Sequence, residues 1–111
     1  MSVHSNRLAA TIITSTTQTT IYTAPTAKRT IVKRIVVRNL AAAAARCFFQ
    51  LQNAGGTTLA NWNVWATAVG AAGDTTDFDT WIVMNAGEHL TAQWNQAAGG
   101  SIIVSGSELD V

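Results

Sequence analysis

One cysteine and one proline occur in 111 residues, and only 12% of the positions are charged. No apolar run approaches the ~20 residues that cross a bilayer as a helix. Each scarcity closes off a class of protein. Cys47 has no partner for an intrachain disulfide, so packing alone must hold the fold. It alternates with Phe49 and Leu51 in the run Cys47-Phe48-Phe49-Gln50-Leu51, which marks it as a core residue rather than a nucleophile. Pro25 follows the β-branched run 19–24 and ends it, because proline cannot donate to a strand ladder. The charged fraction is about half the usual ~25%. Thr, Ala, Asn, Gln and Ser cover the surface instead, as in proteins that pack against neighbours, or in a small β-domain that tolerates such a surface. The first seven residues carry no apolar h-region, so no signal peptide and a cytoplasmic synthesis are expected.

The few charges are segregated. Arg7, Lys28, Arg29, Lys33, Arg34, Arg38 and Arg46 all precede Asp74, Asp77, Asp79, Glu88, Glu108 and Asp110, and nothing between Cys47 and Gly73 is charged. A net charge of +1 therefore hides a polarity along the chain. Such polarity brings opposite charges side by side within one fold, or gives two copies complementary faces. On the second reading, Arg34 and Arg38 meet a neighbour's Asp77, Asp79, Glu108 or Asp110. On the first, the same groups pair within the chain.

What is plentiful is β-branched and periodic. Residues 8–14, 19–24, 30–39, 46–53, 80–85, 89–96 and 101–105 read as strands. The stretch 59–68 is less regular and holds Trp62 and Trp65. In 30–39, Arg34 and Arg38 share a face with Val32 and Val36, while Ile31, Ile35 and Val37 take the other face, assigned to the core. Leu90, Ala92 and Trp94 share one face of 89–96. Residues 41–45, five alanines, are too short to nucleate a helix alone and read as a small-residue connection or a helical turn. Turns are signalled at 53–56, 85–88 and 97–100, and a flexible loop at 70–74. The last three strands read as a meander. The expected fold is all-β, a two-sheet antiparallel sandwich, jelly-roll-like, of about eight strands. It forms one domain over 1–111 with an extended N-terminal tail over 1–7.

Catalytic patterns are missing. There is no Gly-x-Ser-x-Gly elbow, and His4 and His89 lack the spacing of a zinc pair. Asp74, Asp77 and Asp79 do not match a helical calcium loop; they read as a solvated loop or as a patch that meets arginines. No cleft for paired carboxylates and no phosphate-cradling glycine loop is signalled. The basic run 28–34 is too sparse, and too well balanced by acids, for nucleic acid. No enzyme activity, cofactor or metal is expected. Four tryptophans are many for this length. Trp81 and Trp94 lie on strands and read as core or interface anchors, and Trp62 and Trp65 are the leading candidates for a partner contact or for stacking a sugar.

Three groups of residues carry a resemblance: Ile21-Tyr22-Thr23-Ala24-Pro25; Lys28-Arg29-Thr30-Ile31-Val32 with Ile35-Val36-Val37-Arg38-Asn39; and Trp81-Ile82-Val83-Met84-Asn85-Ala86-Gly87-Glu88 with residues 101–108. In this order the chain resembles small β-sandwich or jelly-roll structural proteins of tailed bacteriophages, most closely a capsid decoration (cement or stapling) protein. The resemblance implies a non-enzymatic virion protein on the outer capsid surface. Its implied partners are the major capsid protein and itself, as a homodimer or a trimer, with neither nucleic acid nor membrane. The alternatives are a phage tail or host-contact protein and a small carbohydrate-binding module.

Overall fold

The computed structural model describes residues 6–14, 16–40, 46–64, 75–95 and 99–111, with only the backbone at 63 and 64. Eight strands follow one another: β1 (Asn6–Ile13), β2 (Thr19–Thr23), β3 (Lys28–Asn39), β4 (Cys47–Gln52), β5 (Thr58–Val64), β6 (Thr75–Met84), β7 (His89–Trp94) and β8 (Gly100–Asp110). They form two four-stranded sheets, ordered β1-β8-β3-β6 and β2-β7-β4-β5, with every pairing antiparallel. The chain crosses from one sheet to the other at almost every connection, and among the described residues β4–β5 is the sole hairpin of consecutive strands. This is a jelly-roll sandwich. The expected C-terminal meander is corrected: β6 and β8 lie in one sheet and β7 in the other. Their tight turns signal a reversal of direction equally well for a hairpin and for a crossing between sheets.

The inner faces enclose Val32, Ile35, Val37, Cys47, Phe49, Met84, Leu90, Ala92, Trp94, Ile102 and Val104, all fully buried. Phe49 stacks on Trp62 (centroids 5.5 Å apart) and meets Phe78 edge-on at 6.3 Å. The period-2 reading of β7 holds, with Leu90, Ala92 and Trp94 all inward. That of β3 holds only for its second half. Ile35 and Val37 are inward as expected, but the inward partner before them is Val32, and Ile31 is only partly buried. The cause is a register shift between Val32 and Arg34, where Lys33 is the extra residue against β8. One added residue flips every side chain before it to the other face.

The irregularity runs across the whole sheet. β1 shifts at Leu8 against β8, and β6 carries Thr80 and Trp81 opposite Lys33 alone. Gly106, paired with Val32, accommodates it: a Cβ there would lie 2.0 Å from the Ile31 carbonyl oxygen.

The motifs behind the resemblance converge at one end of the sandwich. The Ala24 N–H donates to the Glu88 carbonyl (3.0 Å), and the Gly87 N–H donates to the Ala24 carbonyl (2.9 Å). Glu88 Oε1 accepts the Asn85 N–H at 2.8 Å, and Gly87 takes the positive φ of 83° that closes this turn.

Three further expectations shift. The stretch called irregular is strand β5 over residues 58–64. Asp77 and Asp79 stand on strand β6 rather than in a loop. Asn6 and Arg7 belong to β1 rather than to a tail. The expectations for residues 1–5, 41–45, 70–74 and 97–98 lie outside the described residues.

Gly106→Ala should cost about 1–3 kcal/mol of stability, because the backbone of β3 must move. Gly55→Ala, where the new Cβ would sit 3.4 Å from Asn53 Oδ1, should stay within about 0.5 kcal/mol. Urea unfolding of both variants decides; equal costs would mean the irregularity at Lys33 does not hold the sheet.

Candidate functional site

Among the described residues the titratable groups do not assemble a reactive centre. Cys47 is fully buried, and loss of hydration pushes its thiol up to about 12, so it is no nucleophile. Among the described residues no three His, Cys, Asp or Glu side chains are grouped to hold a metal. His89 Nδ1 lies 2.9 Å from Thr23 Oγ1 on the neighbouring strand, a cross-strand contact. Tyr22 joins the two sheets at the end of the sandwich. Its hydroxyl donates to Glu108 Oε2 (2.5 Å) and accepts from the buried Thr30 Oγ1 (2.7 Å). Burial first, and the Glu108 carboxylate second, push this phenol up to about 12.

The two outer faces differ in chemistry. On β2-β7-β4-β5, amides and hydroxyls satisfy one another. Thr91 Oγ1 donates to Gln18 Oε1 (2.7 Å), and Gln18 Nε2 donates to Gln93 Oε1 (3.1 Å). Gln52 Nε2 and Thr58 Oγ1 both donate to Gln50 Oε1. Such a face keeps these polar groups paired, and Leu59 on the edge strand β5 is the exposed large apolar side chain of this sheet among the described residues.

The outer face of β1-β8-β3-β6 presents apolar side chains. Ala10 of β1, Ile103 of β8 and Val36 of β3 share one row, with Ile12 beside them. Ile12 and Ile103 are exposed and border an open depression of about 310 Å³, lined also by Ala10, Thr11, Ser101 and Ile102. At the other end of the face, Val83 is exposed and Trp81 is 67% exposed, with Lys33 Nζ 5.8 Å from its ring centroid. Between the two apolar groups, Arg34 pairs with Asp77 and reaches Asp79 at 4.0 Å.

The residues singled out from the sequence therefore fall in three places. Arg34, Arg38, Asp77 and Asp79 share this face; β6 sets both acids beside β3, and Arg34 is paired within the chain. Among the described residues Arg38 makes no ion pair. Asp110 pairs with Lys28 across the β3–β8 ladder, which holds the ammonium charged above its ordinary range, chiefly through the hydrogen bond itself. Glu108 accepts from Tyr22. Trp62 is half-buried on β5 with one ring face on Phe49, so at most its other face is open to a partner or a sugar. Trp65 lies outside the described residues.

Trp81, read from the sequence as a core or interface anchor, is not in the core. Its strand starts at Thr75, and on that longer strand Asp77, Asp79, Trp81 and Val83 alternate onto one face. The two carboxylates mark that face as the solvent side. Starting the strand at Thr80 hid the marker.

No family model matches the sequence, and no curated protein matches it. Among solved structures, the chain is similar to a chain of the infectious bursal disease virus particle (TM-score 0.44, 16% identity), over 94% of this chain and 30% of that one. It is similar to a pentameric capsid protein isolated from metagenomic phage sequences (TM-score 0.39, 24% identity), over 96% of this chain and 60% of that one. A subviral particle of infectious bursal disease virus overlaps at TM-score 0.41 and 16% identity, over 94% of this chain and 32% of that one. The chain thus spans less than two thirds of each of these proteins.

Two measurements follow from the buried groups. The Cys47 thiol should react with a disulfide reagent stoichiometrically in denaturant and, at about pH 8, only as fast as the native fold opens. Rapid native labelling would contradict its burial. For Tyr22 the folded state raises the phenol above its ordinary 10.0, so the fold holds the neutral form. Its contribution to stability is complete below pH 10 and is lost as pH rises towards 12. Tyr22→Phe should be about 1 kcal/mol less stable at neutral pH and lose less between those values. Parallel stability–pH curves for the two proteins would refute the assignment.

Proposed function

We propose that the chain is a non-enzymatic structural protein of a virion, which docks on the outside of a capsid shell and stabilises it in the manner of a bacteriophage decoration protein. The observation that carries this reading is the asymmetry of the two outer faces: one is closed by its own amide and hydroxyl bonds, and the other exposes Trp81, Val83, Ile12 and Ile103. An exposed apolar group of this kind on a charge-poor domain is the mark of a contact surface. A partly exposed tryptophan beside a cation is the kind of side chain that anchors one. The jelly roll is an architecture that shells use, though also lectins and cupins, so the fold is only an analogy in support.

The resemblance to tailed-phage accessory proteins supplies the partner, the major capsid protein. A protein that binds the closed shell and not its free subunits stabilises the shell by mass action. Arg38 and the Arg34–Asp77–Asp79 group on the same face would set register and salt sensitivity rather than affinity, since exposed pairs are worth only ~0–1 kcal/mol.

The test is binding to shells that lack the protein. Trp81→Ala, folded by circular dichroism, should weaken capsid binding by about 2 kcal/mol, roughly 30-fold. Arg38→Ala should bind slightly more weakly than wild type in low salt, by no more than the ~0–1 kcal/mol of an exposed pair, and converge with it as salt rises, which flattens its salt dependence. Unchanged capsid binding by Trp81→Ala would reject the face. Binding to tails but not to shells would replace the decoration reading with the tail reading, and saturable glycan binding lost on Trp81→Ala would replace both.

A further inference from the structure

A two-sheet sandwich has four edge strands, here β1, β6, β2 and β5. Three are guarded against pairing with another chain. β1 carries Arg7 and the shift at Leu8. β6 carries Asp77 and Asp79, with its own extra residue at Thr80–Trp81. β2 has five residues and a register shift between Thr20 and Tyr22. Short length, bulges and charge are the devices by which natural edges avoid association.

β5 carries only a register shift near its start, where Leu59 is the extra residue against β4 between Thr58 and Ala60. It runs for seven residues, Thr58–Val64, without charge, proline or glycine. Its register with β4 is regular from Ala60 to Val64, and the nearest charged residues along the chain are Arg46 and Asp74. Residues 58–61 are all exposed, Leu59 at 52%. Among the described residues no strand pairs with its outer side.

We propose that this edge is an interface between two copies of the chain. β5 pairs antiparallel with β5 of a second copy about a two-fold axis at Asn61, joining two β2-β7-β4-β5 sheets into one eight-stranded sheet. Asn61 is the midpoint of the strand, so this register sets Ala60 opposite Trp62 and Asn61 opposite its own copy, while Leu59, the extra residue against β4, falls opposite Asn63 at either end. No charge meets a like charge anywhere along it. Ala60 and Trp62 lie on the face that packs on Leu51 and Phe49, so each copy's small residue receives the other's indole. A second copy suits this edge better than a foreign strand, because the same uncharged segment serves as both donor and acceptor about one axis. The pairing uses β5 and leaves the outer face of β1-β8-β3-β6 open, so it stands or falls separately from the capsid reading.

The experiment uses the purified chain alone. In this register the two Asn61 Cα atoms would be about 4.5–5.5 Å apart, within the range of a disulfide. Asn61→Cys should form a disulfide-linked dimer under mild oxidation, with Cys47 buried and uninvolved. Leu59→Cys should not, since its two copies would be four residue steps apart along the strand. Wild type should sediment as a dimer, and Asn61→Lys, folded by circular dichroism, should raise the dimer dissociation constant by at least about tenfold. A wild-type monomer at every concentration up to about 100 μM would overturn the proposal. So would equal cross-linking at 59 and 61, or a dimer untouched by Asn61→Lys.

Discussion

The architecture depends on β3 being hydrogen-bonded on both sides. At twelve residues it is the longest strand, and it holds β8 on one edge and β6 on the other. These pairings join parts of the chain that are far apart in sequence, and they determine which outward side chains become neighbours. The extra residue at Lys33 is the one place where the ladder departs from regular alternation, and every strand of that sheet answers it. Gly106 lets the backbones close at this level, because a side chain would enter the Ile31 carbonyl. The crease also changes what the sheet shows to solvent. Before it Ile31 and Val83 face outward, and beyond it Arg34, Val36 and Arg38 do.

The charge polarity of the sequence has a direct structural meaning. The basic strand lies between the two strands that carry most of the acids. Lys28 therefore meets Asp110, and Arg34 meets Asp77 and Asp79, within one molecule. Of the two readings of that polarity, pairing inside the fold accounts for Arg34 and Lys28. Exposed pairs of this kind add little stability. Their larger effect is to leave the charged residues concentrated on one sheet, while β5 and the neighbouring outer face remain uncharged. A sandwich built this way has two kinds of outer surface: a sheet face with apolar groups at both ends of an ion-paired centre, and an uncharged sheet that ends, among the described residues, at β5.

Much of the all-β character was legible along the chain. Alternation over residues 89–96 put Leu90, Ala92 and Trp94 on one face, and that over 47–51 put Cys47 with Phe49 in the core, because period-2 burial is a local property of an extended backbone. The turns at 53–56 and 85–88 were legible from Asn and Gly for the same reason. The candidate site was legible only in part. Arg34, Arg38, Asp77 and Asp79 were legible as one charged group, but the sequence left Trp81 between core and interface, because its strand is apolar on both faces and only its acidic first half reveals which face is outside.

Alone, the sequence determined the class of fold, the approximate strand count, the face shared by Leu90, Ala92 and Trp94, the core placement of Cys47 with Phe49 and the absence of an intrachain disulfide, all of which follow from side-chain chemistry at short range. Only the tertiary structure decided the order β1-β8-β3-β6 and β2-β7-β4-β5, the reversal of facing at Lys33 and the company Trp81 keeps. The physical reason is that backbone donors and acceptors are the same in every strand. Which strands pair is settled by how two sheets jointly bury their apolar faces, and a single inserted residue, invisible to local alternation, changes which side chains those faces hold.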